Sequence, residues 1–480
     1  MISDTLRKIK IPHVFPLLMG VILFCSVLTY IIPSGSYERE DRTVGELTRT
    51  MVIPGTFQEL PKNYSFKGVL IGDEVEGKAT PVSILQFLTA VPRGLESTAD
   101  IIFFIFIIGG VFGILQATGM ITAVIQELVN RFSSSGPLLT IILMLVISIG
   151  GSTLGMGEEF IPLVPVFLYV SKELGYDRIY GLALMMIAAD VGFAAATTNP
   201  FTVQIAQGIA EVPLGSDIGF RVVFYLACLI TALVYVLRYG AKIKKDPSKS
   251  LMAGDPFHLG SFDMGEHKLN RRHIGIVIAS AVIFVGIIWA VQTQGWWLAE
   301  MGGGFLLMGI VAAAIGGLSV SESTKAFIKG AEEMVVAALV VGFAKGIQVV
   351  LEDGHIMDTL IYSAANVLRD FHNVFAAEGM LVFQSMLNFF IPSGSGQAAT
   401  TMPLMAPLSD VLGLSRQTAV FAFTCGDGFS NTIIPTSGVL MAMLALAKIP
   451  YEKWLKFMFP LFIQLMILAG IFLAIKVYWF

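Results

Sequence analysis

FFIPSGSGQAATTMPLMAPLSDVLGLSRQTAVFAFTCGDGFSNTIIPTSG, residues 389–438, is an apolar run of membrane character that is interrupted twice. The first interruption is Ser393-Gly394-Ser395-Gly396, and the second is Ser430-Asn431-Thr432, ahead of Pro435. Backbone that leaves a helix inside lipid strands its N–H and C=O groups, so it persists only where it lines a cavity or binds something. Two such breaks, rich in small hydroxyl and amide residues, mark a substrate and ion site made from discontinuous helices.

A related stretch lies about half a chain earlier, at residues 150–200: GGSTLGMGEEFIPLVPVFLYVSKELGYDRIYGLALMMIAADVGFAAATTNP. Gly175-Tyr176-Asp177-Arg178 answers Gly413-Leu414-Ser415-Arg416, and Pro165 answers Pro403, both at a separation of 238. Asp190 stands against Asp427 one residue out of step, and Arg93-Gly94 against Lys329-Gly330 at 236. The near-constant spacing reads as an internal duplication.

Composition bounds the class. The 480 residues are 55% hydrophobic and 14% charged, with a net charge of -4 and a mean hydropathy of +0.76. Soluble domains carry about 25% charged residues, so a polytopic, all-α membrane protein is expected. Cys25, Cys228 and Cys425 lie in apolar runs and read as buried thiols. The run from Val14 to Ile32 is long for a signal peptide and reads as a retained first span.

Arg7, Lys8 and Lys10 precede that span, and the 238–272 loop carries Lys242, Lys244, Lys245, Lys249, Lys268 and Arg271. Both segments read as cytoplasmic by the positive-inside rule. Residues 34–81, acidic and punctuated by Gly and Pro, read as an extracytoplasmic loop with an irregular or β-hairpin element. Counting crossings from the inside gives nine full spans plus two re-entrant hairpins. An odd number of crossings separates the two copies, so the repeats are expected to be inverted.

The expected layout is a first repeat at 1–240, a cytoplasmic loop at 241–272 and a second repeat at 273–480. Re-entrant hairpins fall at about 136–174 and 376–412, and broken helices at 178–210 and 414–447. The first hairpin tip is placed at Gly150-Gly151-Ser152-Thr153, because the apolar run before it is shorter than the roughly 20 residues a span needs.

Oxygen-bearing groups at tips and breaks suit a dehydrated Na⁺ and a substrate carboxylate met by helix N-termini. The plainer reading of any one Ser, Thr or Gly is close helix packing. The substrate candidates are Ser152, Thr153, Glu158, Glu159, Asp190, Thr198, Asn199, Ser393, Gly394, Ser395, Asp427, Asn431 and Thr432. The ion candidates are Ser152, Asn199, Ser395, Ser430, Asn431 and Thr436. A carboxylate at bilayer depth costs roughly 2.5 kcal/mol or more, so acids there are functional by default. Glu158 and Glu159 also open a helix, where acids favour the dipole's positive end. With no Lys or Arg in either tip, the acids point to a cationic substrate group or a coupling cation. Lys345, alone in an apolar helix, reads as a snorkelling or scaffold residue.

Other chemistries fit poorly. No His stands in a metal-ligand spacing, so no metal site beyond Na⁺ is expected. Thr424 stands where a Gly-x-Gly-Asp aspartyl-protease frame needs its first Gly, and Pro392 to Gly396 is no Gly-x-Ser-x-Gly frame. The chain is therefore read as a carrier and not an enzyme, with no cofactor and no nucleic-acid partner. A passive channel explains the tips less well than a gated carrier does.

IPHVFPLLMGVILFCSVLTYIIPSGSYER at 11–39, GMGEEFIPLVPVF at 155–167, AADVGFAAATTNPF at 188–201 and GDGFSNTIIPTSGVLM at 426–441 carry a family resemblance, together with the 389–417 stretch. The chain resembles the YfcC-type carriers, grouped with the DcuC C4-dicarboxylate carriers and near the arginine/ornithine antiporters of the ion transporter superfamily. The resemblance covers nearly the whole chain. It implies a homodimer whose scaffold helices support a transport domain that slides as an elevator, in a bacterial inner membrane. It places the superfamily's Ser-Asn-Thr motif on Ser430-Asn431-Thr432, whereas Thr197-Thr198-Asn199-Pro200 departs from that pattern. The expected cargo is a small amino-acid-like solute, best a basic amino acid, exchanged or coupled to Na⁺ or H⁺. A Na⁺- or H⁺-coupled C4-dicarboxylate carrier is the alternative.

Overall fold

The computed structural model describes residues 14–44, 47–132, 135–257 and 269–479. Arg7, Lys8, Lys10 and Lys268 of the basic segments lie outside the described residues. Helix α1 (Val14–Ile31) leads into four short strands, β1 (Ser34–Ser36), β2 (Arg39–Val44), β3 (Leu47–Val52) and β4 (Gln58–Leu60). They pair antiparallel as β1–β4 and β2–β3. The chain continues through α2 (Phe66–Ile71), α3 (Ile84–Ser97), α4 (Ala99–Ala117), α5 (Met120–Phe132) and α6 (Gly136–Leu154). A 3-10 turn (Glu158–Leu163) precedes α7 (Val164–Glu173) and α8 (Arg178–Ala194); after a gap come a π turn (Pro200–Gln204) and α9 (Ile205–Ile209), then α10 (Ile218–Lys245).

The second half opens with α11 (Arg271–Gln294) and α12 (Leu298–Gly316), followed by α13 (Val320–Glu333), α14 (Val335–Asp353) and α15 (Met357–Arg369). It closes with α16 (Asn373–Asn388), α17 (Gly394–Val411), α18 (Arg416–Ser430), α19 (Gly438–Ala447) and α20 (Tyr451–Trp479). Among the described residues, eight helices are long and apolar enough to cross a membrane. That set includes α6, one arm of the expected first hairpin, and omits both broken helices, because each is cut into pieces too short to qualify.

Helix lengths recur in order. Helices α3, α4 and α5 have 14, 19 and 13 residues, and so do α13, α14 and α15. The short amphipathic helix of each set starts on a capping box, Ser83 with Gln86 and Ser319 with Glu322, which satisfies orphan N–H groups. Each short helix packs on the 19-residue helix of the other half, α3 on α14 and α13 on α4. The crossings are glycine on glycine. A Cβ on Gly94 would stand 2.7 Å from Gly346 N, and one on Gly330 would stand 2.9 Å from Gly113 Cα and run into the Gly109 carbonyl. Lipid offers helices no hydrophobic reason to associate, so close backbone approach through small residues supplies the attraction instead. The two 19-residue helices carry Gly109-x-x-x-Gly113 and Gly342-x-x-x-Gly346, the spacing that permits it.

The strand lobe docks on α15. Asp358 Oδ2 accepts from Tyr37 N (2.9 Å), Asp358 Oδ1 accepts from Arg39 Nη2 (2.7 Å), and Phe57 stacks on Tyr362 at 4.0 Å. Burial, followed by the Asp358 charge, pushes the Tyr37 hydroxyl up to about 12. The three cysteines are buried and free.

The glycine crossing predicts a contrast between two substitutions. Gly330→Val forces backbone apart and should cost about 1–3 kcal/mol, seen as a lower unfolding midpoint in detergent. Gly303→Ala, where an added Cβ meets nothing within 4 Å, should leave the midpoint unchanged. Equal midpoints for both variants would contradict the packing described.

Candidate functional site

The first hairpin turns later than its glycines suggest. Helix α6 runs through Gly150 to Thr153 and ends at Gly155, whose φ of +68° is a conformation glycine adopts freely. The small residues serve packing there: a Cβ on Gly151 would stand 2.5 Å from the Ala189 carbonyl oxygen of α8. The tip expected at 150–153 therefore lies at 155–157, followed at once by Glu158 and Glu159 in the 3-10 turn. The second hairpin turns at 389–393. Ser393 is the N-cap of α17, and Gly394 to Gly396 form the helix's first turn.

The helices are broken where the sequence stretches are polar. Helix α8 stops at Ala194 and resumes at Pro200; α18 stops at Ser430 and α19 starts at Gly438. The freed backbone groups find named partners, as buried peptide groups must. Ser152 O accepts from Thr197 N (3.1 Å) and Thr198 N (3.2 Å), and Ser152 Oγ bonds to Thr197 Oγ1 at 3.1 Å. The Ala196 carbonyl accepts from the Arg221 Nη1 of α10 (3.3 Å), and the Thr198 carbonyl from Gln204 Nε2 (3.0 Å). In the second break, Trp454 Nε1 of α20 donates to Thr432 O at 2.9 Å, and the Tyr451 hydroxyl donates to Ile433 O. Asn388 Nδ2, at the end of α16, stands 2.8 Å from each of Asp427 O, Ser430 Oγ and Asn431 Oδ1.

The outer ends of the broken helices are tied reciprocally. Arg178, opening α8, donates to Ala447 O at the end of α19 (3.4 Å) and pairs with Asp255. Arg416, opening α18, donates to Ala210 O just past α9 (3.0 Å) and pairs with Glu211 at 2.9 Å. A cation at a helix C-terminus satisfies carbonyls and complements the dipole. These are the two arginines that match at a spacing of 238.

Between the tips and breaks lies a cavity of about 420 Å³. Glu158, Glu159 and Asp190 line it from the first half, with Ser393, Gly394, Ser395, Asn431 and Thr436 from the second. Asp427 lies below its floor, fully buried, 3.2 Å from where a Cβ on Gly394 would stand. Among the described residues, neither Asp427 carboxylate oxygen has a hydrogen-bond partner, nor do Asp190 Oδ2 and Thr436 Oγ1. Buried polar atoms are ordinarily partnered, so an orphaned cluster beside a cavity is a place for a ligand or a proton.

Other sequence candidates do not line the cavity. Ser152 and Asn199 are buried: Ser152 bonds to the Thr197 hydroxyl and backbone, and Asn199 Oδ1 accepts from Phe201 N at 2.8 Å while its Nδ2 has no partner among the described residues. Thr153 Oγ1 donates to Ile149 O of its own helix at 2.7 Å, and Thr432 Oγ1 to Phe429 O at 2.7 Å. Ser430 Oγ donates to Gly426 O at 2.7 Å. Thr198 contributes its backbone to the break and is absent from the cavity's lining.

The cavity adds residues that the sequence reading left out. Lys345 and Gln348 of α14, Asp100 of α4, and Phe193, Phe201 and Trp297 line it. Lys345, read as a snorkelling or scaffold residue, thus faces the same space as the acids. Asn388 was also missed; a lone amide five residues before a tip carries no local pattern.

Comparison with known proteins places the chain. The DcuC family model, C4-dicarboxylate anaerobic carrier, matches residues 11–478. An Escherichia coli K12 protein named "Putative basic amino acid antiporter YfcC" is 33% identical over 480 residues, covering 95% of this chain and 94% of its own. An uncharacterized Haemophilus influenzae protein is 28% identical over 519 residues, covering 99% and 98%. Among solved structures, Neisseria gonorrhoeae MtrF, described with a class of antimetabolite efflux pumps, aligns over 100% of this chain and 98% of its own, at 16% identity and a TM-score of 0.44. The Alcanivorax borkumensis YdaH transporter aligns over 97% and 98% at 15% identity and 0.42.

The tip geometry predicts that Gly394→Ala impairs ligand binding and spares the fold. Its Cβ would stand 2.6 Å from Thr202 Cγ2 and 3.2 Å from Asp427 Oδ2. Strain of about 1–3 kcal/mol at the tip should weaken binding or transport roughly tenfold or more, with an unchanged elution profile. Wild-type transport by this variant would contradict the placement of the tip.

Proposed function

Because the chain belongs to the DcuC family of C4-dicarboxylate anaerobic carriers, as a multi-pass membrane transporter of the bacterial inner membrane, we propose that it carries a basic amino acid such as arginine or ornithine. Movement is by exchange, or coupled to Na⁺ or H⁺. One observation carries this reading: four carboxylates, Asp100, Glu158, Glu159 and Asp190, line the cavity against one ammonium, Lys345. A cationic solute neutralises such a wall. A dianion meets repulsion of several kcal/mol wherever the local dielectric is low. The name of the Escherichia coli relative supports the same cargo.

In this proposal Glu158, Glu159 and Asp190, with Asp427 beneath them, hold the cationic end or the coupling ion. Ser393 and Ser437, N-caps of α17 and α19, bring two helix N-termini to the cavity for the α-carboxylate. Ser395, Asn431 and Thr436 offer oxygens to Na⁺. The chain is two inverted repeats, 1–240 and 273–480, joined by a cytoplasmic loop. The recurring helix lengths, the reciprocal glycine crossings and the reciprocal arginine caps support that duplication. The hairpins and broken helices form a transport body that slides as an elevator against α4, α14 and their partners, and the chain works as a homodimer.

A second reading, a Na⁺- or H⁺-coupled C4-dicarboxylate carrier, is favoured by the family's own description. Proteoliposome counterflow separates the two. Labelled arginine and ornithine should exchange saturably and succinate should not; saturable succinate exchange without an arginine signal reverses the order. Asp190→Asn should lower arginine exchange at least roughly tenfold, the effect expected for one lost charge-assisted contact. Full-rate arginine exchange by Asp427→Asn would remove Asp427 from the site.

A further inference from the structure

Lys345 stands on α14, which belongs to neither hairpin and to neither broken helix. Its Nζ donates to Gln348 Oε1 at 2.7 Å, and Gln348 Nε2 in turn donates to Glu352 Oε1 at 2.7 Å. The second bond turns the amide so that its oxygen faces the ammonium. Among the described residues the ammonium makes no salt bridge, although four carboxylates line the same cavity. An ammonium has three donors, and Gln348 takes one. A half-buried cation with donors to spare, at the wall of a cavity, is placed to meet an anion.

The hydroxyls at the two helix N-termini are less free. Ser393 Oγ accepts from Gly396 N at 3.4 Å, and Ser437 Oγ from Leu440 N at 3.3 Å, so each is turned toward its own helix. Lys345 is the single cationic side chain lining the cavity among the described residues. We infer that Lys345 anchors the carboxylate of a dipolar solute whose cationic end lies among the facing acids, so that the site selects for both charges on one molecule. This rests on the amino-acid reading above. It adds a residue and a requirement to that reading: removing the carboxylate from the solute and removing the ammonium from the protein should act in the same direction.

Arginine and agmatine make the test, since agmatine keeps the guanidinium and lacks the carboxylate. Binding of each to the purified full-length carrier is measured for wild type, Lys345→Gln and Lys345→Arg. Wild type should prefer arginine by roughly ten- to a hundredfold, the range of one charge-assisted contact. Lys345→Gln should lose most of the arginine preference, keeping only what the two helix N-termini supply, and should bind agmatine at least as well as wild type does, because a repelling charge is gone. Lys345→Arg should keep most of the preference. An undiminished arginine preference in Lys345→Gln overturns the inference, and so does loss of both ligands together, which marks a structural role. Wild-type carrier that binds succinate and neither arginine nor agmatine would instead overturn the amino-acid reading, and this inference with it.

Discussion

A peptide group halted inside hydrocarbon has no water to bond, and each one left unmatched costs several kcal/mol. The two helix breaks in this chain exist because other elements supply the missing partners. Ser152 of one hairpin arm and Arg221 of α10 hold the first break; Asn388 of the other hairpin and Trp454 of α20 hold the second. Each break is thus supported by a hairpin on one side and by a long helix on the other. The supports differ chemically, a guanidinium in one half and an indole in the other, although they occupy equivalent places in the helix order.

Satisfying the breaks also positions the acids. Helices α8 and α18 cross where Gly428 abuts Ala194, so closely that a side chain at 428 would overlap the α8 backbone. Asp427 is adjacent to this contact, and Asp190 lies one helical turn before it on α8. Both carboxyl groups consequently sit beside the same helix crossing. The tip of the second hairpin closes over them through Gly394, and the turn after α6 brings Glu158 and Glu159 to the same space. The arginine caps at the outer ends, Arg178 and Arg416, fix the helices whose inner ends must stay open.

Much of this is legible in the chain itself. Pro200, Pro435 and the polar residues beside them located both breaks, because Pro and unsatisfied backbone are local facts. The tip of the first hairpin lies beyond the glycines that suggest it, because glycine signals a turn and close packing alike, and at Gly151 it is the second. The separation of Gly150–Thr153 from Gly155 depends on the Ala189 carbonyl, which sequence order does not reveal. Lys345 and Asn388 were unreadable in the same way. Each sits in an ordinary apolar helix, and only the tertiary fold decides that one faces the cavity and the other a break. Asp100 lines the same cavity as Glu158 and Lys345, a relation between two helices and a turn.

If the polar peptide at the tips and breaks borders a cavity that a travelling solute fills, residues there must be open to water in the empty carrier and covered in the loaded one. Thiol labelling tests it most directly, using single substitutions Ser395→Cys and Asn431→Cys in a chain whose Cys25, Cys228 and Cys425 are replaced. The account predicts that both positions react with a membrane-impermeant thiol reagent in the empty carrier, and that transported solute protects both. Reactivity at neither position, or reactivity that no transported solute diminishes, would contradict it.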